Sequence, residues 1–297
     1  MDDLSAEEIS SLLDDADRAK SKPASFRKQL DGAQVVLVFE KPSTRTRVSF
    51  EVAVTSMGGE AVVLRADELQ LGRGETIEDT GRVLSRYVDA LVVRTFEQER
   101  LQRLAGAASV PVVNALSDLW HPCQALADLQ TVRALKGGLE GVALGYLGDG
   151  NNVAHALMVG GAKVGMDVRV ASPAGYQPAP EVAERAAAIA AASGGRVTVT
   201  DVVAEAASGA EVLYTDVWAS MGRESEAEAR AQVFEPYRLD EEVLALSAPG
   251  AIVMHCLPAH RGEEIAAAVI DGEQSVVWDQ AENRLHTQKA LLAWLLS

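Results

Sequence analysis

The sequence predicts an α/β protein of two domains, each a parallel sheet flanked by helices, with the active site in the interdomain cleft. Short apolar runs alternate with longer stretches of helical periodicity, the pattern of parallel strands joined by helices. The alternation breaks once, at Lys136-Gly137-Gly138, and then resumes as a second series. A chain of 297 residues also has the length for about two domains with cores of their own.

Taken in order, Ser5 with Glu8 three residues on forms a capping box, and Ile9, Leu12, Leu13 and Ala16 follow at helical spacing. The first series then places strands near 34–39, 61–64, 90–94 and 111–114, with helices near 44–57, 76–88, 97–107 and 121–136. The second places strands near 142–147, 167–171, 196–200, 211–214 and 251–255. Its helices fall near 152–164, 179–192, 202–208, 240–246 and 263–270. The expected domains are 1–137 and 138–282, with a closing helix, within 283–297, that packs back on the first. In such sheets ligands bind beyond the carboxyl ends of the strands.

Composition narrows the function classes. An apolar content of 48% and a charged content of 24% are those of a globular protein, and no apolar run approaches the length of a membrane span. The acidic start, Met1-Asp2-Asp3-Leu4, is opposite in sign to a secretory leader, so a cytoplasmic protein is expected. A net charge of −16 argues against nucleic acid as a partner. An anionic substrate then needs a local basic cluster. Arg45, Arg47, Arg65, Arg73, Arg82, Arg86 and Arg94 lie in one third of the chain, although ordinary surface ion pairs explain them equally well. Two distant cysteines, Cys123 and Cys256, make no disulfide framework.

The chemistry collects in loops after strands. Ser43-Thr44-Arg45-Thr46-Arg47 lies between an apolar run and a helix start, where unpaired N–H groups, hydroxyls and guanidiniums suit a phosphate. Its plain alternative is a capping Ser43 or Thr44 with solvated arginines; five such residues in a row favour the phosphate. Arg94 ends the third strand. Asn114 and His121-Pro122-Cys123-Gln124 follow the fourth, with His121 and Gln124 on one helix face; a capping or half-buried histidine is the alternative there. Gly148-Asp149-Gly150-Asn151-Asn152 invites a dinucleotide reading, which fails at Val153 and at Ser172-Pro173. Asp216 reads as an ammonium acceptor or as a turn-forming residue, and Trp218 rules out a hydrolase elbow around Ser220. His255-Cys256-Leu257-Pro258 ends the last strand with no second ligand pair at zinc spacing, and no P-loop motif is present. Neither metal nor cofactor is expected.

These motifs, in this order, resemble the carbamoyltransferases, and Ser220-Met221-Gly222 with His255-Cys256-Leu257-Pro258 is similar to their ornithine branch in particular. The resemblance runs over nearly the whole chain, to Glu282-Asn283-Arg284-Leu285-His286. It implies transfer of a carbamoyl group from carbamoyl phosphate to the δ-amine of L-ornithine, in arginine biosynthesis. By the same resemblance Ser43, Thr44, Arg45 and Thr46 hold the phosphate, and Arg94, His121 and Gln124 the carbamoyl end. Gln70 reaches a neighbouring subunit's site, which implies a homotrimer with shared sites. Asn152, Asp216, Ser220 and Met221 bind the amino-acid end of ornithine; Cys256 and Leu257 line the reaction centre, and Arg284 returns to carbamoyl phosphate. Arg45, Arg94, His121 and Cys256 are the catalytic candidates. The rivals are another acceptor (putrescine, N-acetylornithine or aspartate) and a carbamoyl-phosphate-binding protein without activity.

Overall fold

Two parallel sheets organise the chain in the computed structural model, which describes residues 1–65, 74–219 and 227–297. Strands β1 (Gln34–Phe39), β2 (Glu60–Arg65), β3 (Ala90–Arg94) and β4 (Val112–Leu116) pair in the order β2-β1-β3-β4. Strands β5 (Ala143–Leu147), β6 (Asp167–Ala171), β7 (Arg196–Thr200), β8 (Val212–Thr215) and β9 (Ile252–His255) pair as β7-β6-β5-β8-β9. Each of these pairings is parallel. The inner strands β3, β5 and β8 are buried along their whole length, which is why they read as unbroken apolar runs. Both sheets reverse their winding beside the first strand of the series, between β1 and β3 and between β5 and β8. The carboxyl ends at such a reversal are where open α/β sheets take ligands.

The helices are α1 (Ala6–Ser21), α2 (Thr44–Ser56), α3 (Ile77–Leu84), α4 (Gln98–Ala107), α5 (Pro122–Lys136) and α6 (Asn152–Lys163). They continue as α7 (Pro180–Ser193), α8 (Val203–Ala207), α9 (Ala227–Phe234), α10 (Glu241–Leu244), α11 (Ala267–Ile270) and α12 (Val277–Leu295). The chain divides into two units. The four-stranded unit comprises Glu7–Gln130 and Asn283–Ser297, and the five-stranded unit Met1–Ala6 and Thr131–Glu282, so the divisions fall inside α5 and α12. Within the five-stranded unit the first residues are held by α6: Lys163 Nζ donates to the carbonyls of Met1 at 2.9 Å, Asp2 at 2.8 Å and Leu4.

Three stretches depart from the sequence reading. Helix α9 stands where the sequence reading places none, because its Ala-rich sequence carries no clear apolar stripe. Helix α12 begins at Val277 instead of 283: polar Gln280 is fully buried there and donates from Nε2 to the Tyr214 hydroxyl at 3.0 Å. The helix expected near 263–270 is confined to α11, since residues 264–266 run beside Leu239 instead, with Leu239 N–H donating to the Glu264 carbonyl and Ala266 N–H to that of Leu239, both at 2.9 Å.

Candidate active site

In the four-stranded unit, β1 delivers the chain to the start of α2. Ser43 caps this helix from an extended conformation, its Oγ accepting from the Thr46 N–H at 3.3 Å. The first turn of α2 contains no acidic residue, which leaves the positive end of the helix dipole to an incoming anion. Thr44 and Arg45 are exposed on this turn and Thr46 is buried. Arg47 points away from this role, pairing on the surface with Glu51 at 3.4 Å. Arg94 is buried at the end of β3, where the register with β4 shifts between Val93 and Arg94.

Helix α12 supplies the bolt across this half-site. Buried Arg284 donates from Nη1 to Gln124 Oε1 at 2.8 Å and from Nη2 to Thr46 Oγ1 at 3.1 Å. Gln124 in turn donates to the fully buried Asp128 carboxylate at 2.9 Å. Arg284 thus fixes both the helix start of α2 and the amide of Gln124, so a guanidinium with these bonds acts on the ligand site through position as well as charge. His121, at the entry to α5, is buried, and its Nδ1 has no hydrogen-bond partner among the described residues. Burial, and then the guanidiniums of Arg284, Arg94 and Arg45, push its pKa well below the usual imidazole value. A neutral imidazole among three guanidiniums can donate to a carbonyl oxygen without adding another positive charge.

This environment has a consequence for stability. A histidine whose proton affinity is lowered by folding takes up its proton more readily in the unfolded chain. His121 therefore leaves stability undiminished above about pH 6.5, the usual imidazole value, and lowers it as the pH falls through that value. His121→Gln is expected to flatten the loss of stability between about pH 6.5 and pH 5.5 in denaturant titrations. Equal pH slopes for the two proteins would contradict a neutral His121.

In the five-stranded unit the site grows from β5, β8 and β9. Gly150 is required by close approach: a Cβ there would lie 2.1 Å from the backbone nitrogen of Pro178. With Gly148 at φ +130°, this accounts for both glycines by chain packing, without a dinucleotide. Asn151 then caps α6, its Oδ1 accepting from the N–H groups of Val153 at 2.9 Å and Ala154 at 3.3 Å. The same side chain donates from Nδ2 to Asp216 Oδ2 at 2.8 Å, while the Tyr146 hydroxyl donates to its Oδ1 at 3.3 Å. The Cys256 thiol donates to Asp216 Oδ1 at 2.9 Å. Asp216 is thus a buried carboxylate with both oxygens oriented by neighbours, ready for a cationic group. Arg230 of α9, itself fully buried, donates to the Trp218 carbonyl and pairs with Asp149, and so ties the loop after β8 to the loop after β5.

The structure therefore gathers Ser43, Thr46, Arg94, His121, Gln124 and Arg284 in one unit, with Arg45 exposed beside them, and Asp216 with Cys256 in the other. Asn152 is the first residue of α6, next to the cap. Gln70, Ser220 and Met221 lie outside the described residues. Asn151, Tyr146 and Arg230 were not singled out from the sequence. Two asparagines follow Gly150, and nothing local distinguishes which of them turns toward Asp216. Asp216, His255 and Cys256 bring possible metal-ligand atoms within 4.8 Å of one another. Both ring nitrogens of His255 are already engaged, however, Nδ1 by the Leu257 N–H at 2.8 Å and Nε2 by Glu264 at 3.1 Å. No helix among the described residues is long and apolar enough to cross a membrane.

Comparison with known proteins places this geometry in context. Residues 1–134 match the family model for the carbamoyl-P binding domain of aspartate/ornithine carbamoyltransferase, and residues 140–295 that for its Asp/Orn binding domain. An ornithine carbamoyltransferase of Parafrankia sp. (strain EAN1pec) is 61% identical over 299 residues, covering 99% of this chain and 94% of the relative. That of Acidothermus cellulolyticus is 61% identical over 295 residues, covering 99% and 95%. Among solved structures, ornithine carbamoyltransferase from Pyrococcus furiosus matches with a TM-score of 0.96 at 52% identity, covering 99% of this chain and 95% of that one.

Proposed function

The chain belongs to the aspartate/ornithine carbamoyltransferase family, and on that premise we propose that it transfers the carbamoyl group of carbamoyl phosphate to the δ-amine of L-ornithine, giving L-citrulline and phosphate. The observation that carries the acceptor is the contact of 2.9 Å between Cys256 Sγ and Asp216 Oδ1, a thiol and a carboxylate at adjoining strand ends. An acidic group there suits an amino-acid acceptor with a free ammonium and opposes the extra carboxylate of aspartate.

In this reading the N–H groups and hydroxyls at the start of α2, with Arg45, hold the phosphate, and Arg94, His121 and Gln124 the carbamoyl group. The neutral δ-amine attacks the carbamoyl carbon. A C–N bond forms, the carbonyl oxygen takes up negative charge, and the amine gives up a proton as the C–O bond to phosphate breaks. Arg94 and His121 donate to the oxyanion, and Arg45 with the helix terminus stabilises the departing phosphate. Asp216, Asn152, Ser220 and Met221 hold the amino-acid end, Cys256 and Leu257 line the reaction centre, and no cofactor takes part. A homotrimer sharing sites through Gln70, in the cytoplasm, belongs to the same proposal.

The test is a colorimetric assay for the ureido product, run with ornithine beside putrescine, N-acetylornithine and aspartate. Ornithine is expected to be turned over far faster than the others. Equal or better turnover of another amine would overturn the acceptor, and no turnover of any would favour a protein that binds carbamoyl phosphate without reacting it.

A further inference from the structure

One buried carboxylate of the five-stranded unit has no role in the chemistry above. Glu264 is wholly inaccessible, and its Oε1 accepts from His255 Nε2 at 3.1 Å and from the His260 N–H at 2.5 Å. Its main chain is fixed beside Leu239. Burial raises the pKa of its carboxyl, and the bonds from His255 and the His260 N–H more than offset that, leaving it lower than usual and ionised. His255 is inaccessible as well, and its own N–H donates to Gln280 Oε1 at 2.9 Å. Because Nε2 donates to a carboxylate, Nδ1 is left as an acceptor, and it takes the Leu257 N–H at 2.8 Å. Leu257 is the residue that needs such help: its φ of +60° lies in the left-handed region, which a branched side chain seldom occupies without outside constraint. Between the two stands Cys256, with its thiol on Asp216.

We propose that Glu264 and His255 form a positioning relay, in which the carboxylate orients the imidazole, the imidazole holds the left-handed Leu257, and the bend so fixed sets the Cys256 thiol against Asp216. Neither residue touches substrate. Their task is to keep the Cys256-Leu257 segment in one conformation, and this rests on the reading of Cys256 and Leu257 as part of the reaction centre. Fixed geometry of this sort is what turns a nearby group into an effective one.

The relay is tested at Glu264 with one substitution that keeps an acceptor and one that removes it. Glu264→Gln retains an oxygen for both donors and is expected to keep kcat within about fivefold of the parent. Glu264→Met, of similar volume, strands two buried donors and is expected to lower kcat by about tenfold to a hundredfold. The inhibition constant of inorganic phosphate should stay unchanged, because the phosphate cradle is in the other unit. A second readout needs no activity: alkylation of Cys256 by iodoacetamide, followed by peptide mass spectrometry, should quicken about tenfold in Glu264→Met and little in Glu264→Gln. Cys123 does not interfere, since burial raises its thiol pKa to about 11. Equal behaviour of the two variants, or an unchanged alkylation rate in a folded Glu264→Met, would overturn the relay. If Glu264→Met does not fold, His255→Leu decides, because it leaves the Leu257 N–H without its acceptor. It should be alkylated at Cys256 about tenfold faster than the parent, and an unchanged rate would overturn the relay. Should the parent form no citrulline, the proposed function fails while the alkylation comparison still judges the relay.

Discussion

Replacement of Arg45 by alanine is expected to lower turnover about a hundredfold or more with the fold intact, the equivalent of about 3 kcal/mol of transition-state stabilisation. The size follows from where charge develops. In the proposed reaction phosphate leaves the tetrahedral intermediate as a dianion, and the groups proposed to meet it are the helix start of α2 and the guanidinium that the same turn carries. That turn holds no carboxylate to neutralise Arg45. The fold is insulated from the change because the Arg45 side chain is exposed, unlike that of Arg284, which bolts α2 to α5. Arg47→Ala is the built-in control: this neighbour is spent on a surface pair with Glu51, which is worth little. Near-normal turnover of Arg45→Ala, or equal losses at Arg45 and Arg47, would remove Arg45 from catalysis. The parallel measurement of thermal unfolding should show both variants within a few degrees of the parent.

Most of the strands, and the strand-to-helix turn proposed as the phosphate cradle, were legible in the sequence, for physical reasons that differ from place to place. Strands buried on both faces leave unbroken apolar runs, so β1, β3, β5, β8 and β9 stood out. The start of α2 was legible because hydroxyls and guanidiniums crowd a strand-to-helix turn. What escaped was long-range polar pairing. Gln280 reads as a surface residue until its amide is seen bonded to the His255 N–H and the Tyr214 hydroxyl. Arg230 lies in a helix without an apolar stripe, yet its guanidinium is fully buried over the rings of Tyr176 and Phe234, 4.7 Å and 5.0 Å from their centroids. Glu264 looks like one of two acidic surface residues, and only the Leu239 pairing turns it inward. Sequence patterns record which segments are apolar; they do not record which polar side chain meets which across the fold.

At Asp216, substitution by asparagine is expected to raise the KM for ornithine about tenfold to a hundredfold, as loss of a bond between two charged groups would. Asparagine preserves the volume and offers one acceptor oxygen in place of two. It can keep the 2.8 Å contact from the Asn151 amide while its NH2 faces the Cys256 sulfur, which trades the 2.9 Å thiol contact for a weaker one as the charge is removed. Tyr146 offers an internal gauge of that charge. Its pKa is pushed well above the ordinary phenol value by burial first, then by Asp216, Asp149 and Cys256. Removing the Asp216 charge lifts one of those contributions, so the Tyr146 titration should move down in the variant even where activity is not measured. The phosphate inhibition constant should hold steady, since the cradle belongs to the four-stranded unit. An ornithine KM unchanged by Asp216→Asn would show that the ammonium is bound elsewhere, and the acceptor would then have to be identified without this carboxylate. If the KM rises while putrescine, which lacks the amino-acid end, is unaffected, the carboxylate is assigned to the amino-acid end of ornithine rather than to the attacking amine.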